Sequence, residues 1–485
     1  MGNNKPEVPG NNLESVTQKF ALYFGNRGFF PEKLIASARK ELSQAVRTAG
    51  YEELIMPENA TRFGAVESVE EGRKYAAWLK EQNSVSGVDG VILCLPNFGD
   101  ETGAVAALED AGVPIWIVAY PDEKDAMDFE NRRDAYCGKF SVMDVFHQYG
   151  IPFTSMPPHV LHPENPKFIE QLHYFASVCR VVNRCRRFTI GAIGARTTAF
   201  KTVRYDELTL QKYGITTEVM DLSEVISRVR AFDENKEIYR EKKSLLTGIA
   251  DMSLVPAEPL SNMVKLAIVI DELAGEYQMD ALAVRCWIEM EQELQVAPCT
   301  ILGELNDRGL PAACELDVAN ALSMFALRVA SERPATVLDW NNNWGEEEDK
   351  VVLFHCGPVP PSLMQKKGRV IDHPMFAKSL GAGCGWGPNQ GRIRPMPITF
   401  ASAVTEDGKI CIYSGEGRFT EDVIPEGYFG CAGVAEIPHL QKALDVIGKN
   451  GYRHHVSVTP GHVEKAVREG LEKYLGYSWT ELPGE

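Results

Sequence analysis

Stretches in which nearly every residue is apolar alternate along this chain with stretches in which apolar residues recur every three or four positions. From Val16 to about Phe168 the alternation is regular, predicting a helix over Glu32–Ala49, a strand over Val88–Leu95, a helix over Glu101–Ala111 and a strand over Pro114–Ala119. Such a pattern implies parallel βαβ units. A long helical pattern, Phe168–Val182, leads into a second segment of the same kind, with a strand over Phe188–Ile193 and long helices over about Leu222–Leu246 and Pro259–Asp280. Within it Glu315 opens a run whose apolar positions (Val318, Leu322, Phe325, Ala326, Val329) keep helical spacing, and a short strand, Ala335–Leu338, closes on Asp339. Past Lys350 the period changes: Val351–His355, Met396–Val404, Lys409–Ser414 and His454–Thr459 are short strand-like runs between Gly- and Pro-rich turns, followed by a closing helix from about His462 to Leu475. The expected division is 1–172, 173–350 and 351–485. The first ten residues read as a disordered lead-in and the cluster Glu346-Glu347-Glu348-Asp349 as a solvated linker.

At 485 residues the chain exceeds one ordinary core. Fifty basic against sixty-seven acidic residues give a formal charge of -17, which repels phosphate backbones and anionic membrane surfaces. Nucleic acid is therefore not an expected partner, and neither is a membrane, because no apolar run has transmembrane length. Met-Gly-Asn-Asn-Lys-Pro at the start lacks the apolar run of a secretion signal, so a cytoplasmic location is expected. Eleven cysteines without a C-x-x-C pair read as reduced thiols.

Glu315 and Asp339 carry the first candidate chemistry. An acidic residue suits the first turn of a helix, and Asp ends many strands as a turn former. The C-terminal ends of parallel strands are also where open α/β sheets place ligands, and two carboxylates there could share a divalent cation or divide acid and base roles. His355 ends an apolar strand in "VVLFHCGPVP", and His454 and His455 sit in "YRHHVSVTPG", where strand alternation lets one of the two reach a given site. Two carboxylates with an imidazole suit Mn²⁺ or Mg²⁺; Cys356 beside His355 keeps Zn²⁺ open. Arg27 in "FGNRGFFP", Asn97 in "CLPNFGDE" and Arg196 in "IGARTTAFKT" follow glycine turns or strand ends. The glycine-rich "GAGCGWGPNQGRIRP" lacks a phosphate-loop pattern and reads as a lid, on which Trp386 could stack on a sugar ring or pack within the loop.

These segments, in this order and over nearly the whole chain, resemble the L-fucose isomerase family, particularly its shorter members. The matching stretches include "FGNRGFFP", "LPNFGDE", "IGARTTAFKTVRYDE", "ACELDVANALSMFAL", "TVLDWNN", "LFHCGPVP" and "GYRHHVSVTPG". The resemblance implies two Rossmann-like α/β domains followed by a β-rich, barrel-like one, assembled as a homo-oligomeric trimer or hexamer whose sites combine residues of adjacent subunits. It implies Glu315, Asp339 and His455, with His355, as ligands of Mn²⁺ (Mg²⁺ or Co²⁺ as alternatives), and Glu315 and Asp339 as the acid/base pair of an aldose–ketose isomerisation. Arg27, Asn97 and Trp386 become sugar contacts, Arg27 reaching a neighbouring subunit's site. Candidate substrates are L-fucose-like sugars and sulfoquinovose. Lys366, Lys367, Arg369, Arg392 and Arg394 would suit the sulfonate of the latter, or else balance an acidic surface. A sugar-binding protein without chemistry could reuse the α/β architecture, but would not need the Glu, Asp and His constellation.

Overall fold

The computed structural model describes residues 17–484; the expected lead-in lies outside them. The described chain forms two compact units, 17–183 with 469–474, and 184–468 with 475–484.

In the first unit β1 (Lys19–Phe24), β2 (Glu52–Ile55), β3 (Gly90–Leu95) and β4 (Ile115–Ala119) form a parallel sheet in the order β2-β1-β3-β4. Successive side chains serve opposite faces, and both faces are covered. Tyr23, Val91, Leu93 and Ile117 pack with the helices Val69–Ser86 and Glu101–Leu108, while Phe20, Leu22, Ile92 and Trp116 pack with the helices Lys33–Thr48 and Pro166–Cys185. The strand order reverses between β1 and β3, and the carboxyl ends there make the crevice in which open sheets bind ligands.

The second unit contains another parallel sheet, β5 (Phe188–Ile193), β6 (Ile215–Met220), β8 (Ala281–Val284) and β9 (Ala312–Cys314), in the order β6-β5-β8-β9, with the two-residue strand β7 (Ala250–Asp251) lying elsewhere. Its remaining strands are β10 (Thr336–Trp344), β11 (Glu347–His355), β12 (Gly368–Asp372), β13 (Trp386–Arg392), β14 (Met396–Glu406), β15 (Lys409–Phe419), β16 (Cys431–Glu436), β17 (His455–Pro460) and β18 (Ser478–Trp479). With β7 they make one mixed ten-stranded sheet, β18-β15-β14-β17-β10-β11-β16-β13-β12-β7. A further β15–β16 pairing, Arg418 with Glu436 and Phe419 with Ala435, returns six of these strands on themselves around Leu338, Leu353, Phe400, Tyr413 and Val456.

Two expectations change. The helix expected over Leu222–Leu246 is two, Leu222–Ala231 and Glu237–Ile249, because Asp233 turns the chain between them by accepting the Asn235 N–H at 2.9 Å. The acidic cluster at 346–349 is exposed but is no linker: Gly345, at φ +57°, turns β10 directly into β11, and Trp344 pairs with Glu347.

Candidate active site

Glu315 follows the last residue of β9, and both it and Leu316 have left-handed backbones at φ +61°. That is an unfavourable conformation for side chains with a Cβ, held here by the Leu316 N–H donating to the Val284 carbonyl at 3.1 Å. The turn brings Asp317 to the N-cap of the helix Val318–Ser331, where it accepts the Asn320 N–H at 3.1 Å. Glu315 therefore lies before the helix, not in its first turn.

Three neighbouring strands supply the rest. Asp339 on β10 is the cross-strand partner of His455 on β17, which puts both side chains on one face. His355 ends β11, on the other side of β10. His455 is fully buried, with Nδ1 2.8 Å from Asp317 Oδ2, and Nε2 3.0 Å from Glu315 Oε2 and 3.5 Å from Asp339 Oδ1. Asp317 is held in turn by the Arg453 guanidinium and by Asn320 Nδ2 at 2.7 Å. The Nδ1–H donated to Asp317 leaves Nε2 as the functional nitrogen.

Burial opposes charge throughout this site, and the neighbours decide each outcome. For His455 the bonds to Asp317 and Glu315 outweigh burial and raise its pKa to about 10. Burial also works against the ionised Glu315, but His455 holds that carboxyl below its ordinary value. Asp339 has no comparable donor, so burial, reinforced by the Glu315 charge, pushes it up to about 7. Burial lowers His355 to about 4, leaving a neutral imidazole.

Two atoms are left over. Asp339 Oδ1 and His355 Nε2 are buried and make no hydrogen bond among the described residues, while His355 Nδ1 accepts the Cys356 N–H at 2.9 Å. Asp339, His355 and His455 form one group with ligand atoms within 4.8 Å of one another; Glu315, His454 and His455 form a second. Unsatisfied buried atoms within ligand distance of one another, in a set of carboxylates and imidazoles, fit a hard or borderline divalent cation. Among the described residues no cysteine joins either group, so Cys356 gives the Zn²⁺ alternative no support.

The other expected residues are placed as follows. In the first unit Arg27 follows β1 and Asn97 follows β3, at the reversal of strand order. Asn97 is buried, donating to Asn26 Oδ1 at 2.7 Å and accepting the Arg27 N–H at 3.3 Å, while the Arg27 guanidinium lies over Phe98 and pairs with Glu101. In the second unit Arg392 lies on β13, two strands from His355 with β16 between, and donates to the Gly391, Pro425 and Tyr428 carbonyls. Lys367 donates to the Thr247 carbonyl and Arg369 pairs with Asp251, so these cations have protein partners; Arg394 is exposed. Trp386 opens β13 with its indole nitrogen buried and unbonded.

The sequence reading missed Asp317, Arg453 and the buried His373, and allowed only one histidine of the 454–455 pair. His454 precedes β17, so strict alternation does not bind it, and its Nε2 lies 3.8 Å from Asp339 Oδ1. Asp317 had a visible signal, an acid one residue before an apolar helix.

The family model described as "Fucose/sulfoquinovose isomerase, N-terminal domain" matches residues 21–186, and that described as "L-fucose isomerase, C-terminal domain" matches residues 353–482. The chain belongs to the L-fucose isomerase-like family, a family of aldose–ketose isomerases. Among its relatives are the sulfoquinovose isomerases of Priestia aryabhattai, 27% identical over 398 residues (80% of this chain, 84% of the relative), and Alkalicoccus urumqiensis, 23% identical over 398 residues (80% and 85%). That of Clostridium sp. (strain MSTE9) is 26% identical over 312 residues, 62% of this chain and 66% of its own. A periplasmic solute binding protein from Actinobacillus succinogenes with bound D-allose overlaps only at a TM-score of 0.17 and 11% identity, over 65% of this chain and 93% of that one.

Proposed function

We propose that the protein is a metal-dependent aldose–ketose isomerase that works by proton transfer between two carboxylates. The observation that carries this reading is the pair of unsatisfied buried atoms, Asp339 Oδ1 and His355 Nε2, facing the Glu315–His455 contact. Glu315, Asp339 and His455, with His355, would hold Mn²⁺, or Mg²⁺ or Co²⁺ in its place. A cation held there supplies Lewis-acid polarisation of the sugar oxygens, easing loss of the C2 proton.

The protein's own groups then divide the work. Neighbouring carboxylates whose environments push their pKa values apart suit acid and base roles, and Glu315 held low beside Asp339 at about 7 is such a pair. One removes the proton from C2 to give the enediol and the other delivers a proton to C1, so the aldose becomes a ketose without net loss of a proton. Asp317 and Arg453 keep the His455 ring in place. Candidate substrates are L-fucose-like sugars and sulfoquinovose, the latter giving 6-deoxy-6-sulfofructose. Arg27, Asn97 and Trp386 are proposed sugar contacts, and Arg392 and Arg394 would meet a sulfonate. We read the parallel sheets as Rossmann-like and the six-strand circuit as barrel-like, in a cytoplasmic trimer or hexamer whose sites take Arg27 from an adjacent subunit.

The test is ketose formation by metal-stripped protein given Mn²⁺ and, separately, L-fucose, D-arabinose, L-arabinose and sulfoquinovose. Turnover of one sugar, restored by Mn²⁺ and reduced at least a thousandfold in Glu315→Gln, is expected. Sugar binding without turnover, indifferent to metal, would replace this reading with that of a binding protein.

A further inference from the structure

Beside Glu315 a cavity of about 80 Å³ enters the second unit, lined by Trp287, Glu291, Cys299, His373 and Phe376 among others. It is several times the roughly 10–15 Å³ that one water needs. Glu291 is 1% exposed, and neither of its carboxyl oxygens has a hydrogen-bond partner among the described residues; His373 is 3% exposed, and its Nδ1 has none there either. A buried carboxyl group without a hydrogen-bond partner is costly even when burial keeps it protonated, and folded proteins rarely keep one without a use. The isomerisation described above does not employ either residue.

The surroundings are built around this pair. The Asp372 carboxylate accepts the N–H groups of Gly383 at 2.6 Å and Gly385 at 3.0 Å, which folds the glycine-rich loop against the cavity. A Cβ on Gly385 would stand 3.1 Å from Glu291 Cγ and 3.2 Å from His373 Cβ, so a larger residue there would have to push both side chains back by a few tenths of an ångström. Trp287 and Phe376, with ring centroids 6.1 Å apart, supply an apolar wall. Apolar walls with a few placed polar groups are how proteins hold small polar ligands.

We propose that Glu291 and His373 form a hydroxyl-binding subsite that holds the non-reacting end of the sugar, an inference that rests on the isomerase reading. Glu291 accepts hydrogen bonds from sugar hydroxyls, and His373 Nδ1 shares in the same network. Burial raises the Glu291 carboxyl to about 8, so near neutral pH it is largely protonated and offers a sugar hydroxyl both an acceptor and an O–H donor.

The experiment titrates manganese-loaded wild type and Glu291→Met with L-fucitol, D-arabinitol, L-arabinitol and the alditol of sulfoquinovose by calorimetry, with turnover of the parent sugars measured alongside. Methionine matches the length of the side chain and removes its acceptors. The expected result is at least one alditol bound tenfold or more weakly by the variant, a KM for the parent sugar raised by a similar factor, kcat within a fewfold, and a melting temperature equal to wild type or higher. A purely structural Glu291 would instead lower the melting temperature and leave alditol affinity unchanged, which overturns the subsite. Should Glu291→Met fail to fold, His373→Gln is titrated in its place, with the same weakening expected and unchanged affinity overturning the proposal. Turnover with alditol affinity indifferent to both residues contradicts the subsite alone. Affinity that depends on Glu291 without any turnover contradicts the isomerase alone, and neither binding nor turnover overturns both.

Discussion

At His455 three carboxylates converge, and the proton on its ring competes with any cation for the same nitrogen. A ligating imidazole is neutral and a ligating carboxylate ionised, so binding must displace protons from His455, at about 10, and Asp339, at about 7. The sign follows: Mn²⁺ affinity rises with pH, by up to about a hundredfold per unit below pH 7, where both groups give up protons, and about tenfold per unit from there towards pH 10. Calorimetric titration of metal-stripped protein across that range checks it, and a flat profile would contradict it. Asp317→Asn keeps the shape but weakens the partner that fixes the ring, and should cost about 10–100-fold in Mn²⁺ affinity while the fold persists, read by the same titration with circular dichroism. Glu315, Asp339 and His355 were legible because each breaks or ends an apolar run. Glu291 was not, since it lies among other acids in "EMEQEL", and only folding removes its water.

Strands buried on both faces announced themselves as runs of mostly apolar residues, and β5, Phe188–Ile193, with only Thr189 polar and half-buried, was found to the residue. The polar far half of β10 did not: Asn341, Asn342 and Asn343 are exposed on the hairpin, so the strand continues past Asp339 where hydrophobicity gives no sign of it. Close backbone approaches are equally silent. A Cβ on Gly387 of β13 would lie 1.7 Å from the Ala297 carbonyl oxygen, beside the Ala297 N–H to Trp386 carbonyl bond of 3.0 Å. Gly387→Ala must therefore push β13 away, and should cost about 2–3 kcal/mol or more of stability in chemical denaturation. An unchanged denaturation midpoint would show that the two segments separate freely.

For the whole molecule, the order of elements and the change from α/β to β-rich character were readable because hydrophobic period changes with secondary structure. Which carboxylates and histidines meet was not, because β17 reaches β10 across more than a hundred residues of chain. Assembly can be tested through shared sites. If Arg27 serves an adjacent subunit, then mixing inactive Arg27→Ala and Glu315→Gln proteins in equal amounts, after dissociation and reassembly, should restore activity to about a quarter of wild type, the statistical share of intact sites. No recovery would place Arg27 and Glu315 of one site on the same chain.

In the proposed isomerisation one carboxylate takes a proton from C2 and a different one returns a proton at C1. This transfer is tested most directly by running the isomerisation in D₂O and examining the ketose by NMR. A proton delivered by a second carboxyl equilibrated with solvent leaves deuterium at C1, and that is the predicted result. A product free of deuterium, its hydrogen passed directly from C2 to C1, would exclude transfer through two solvent-equilibrated carboxyls.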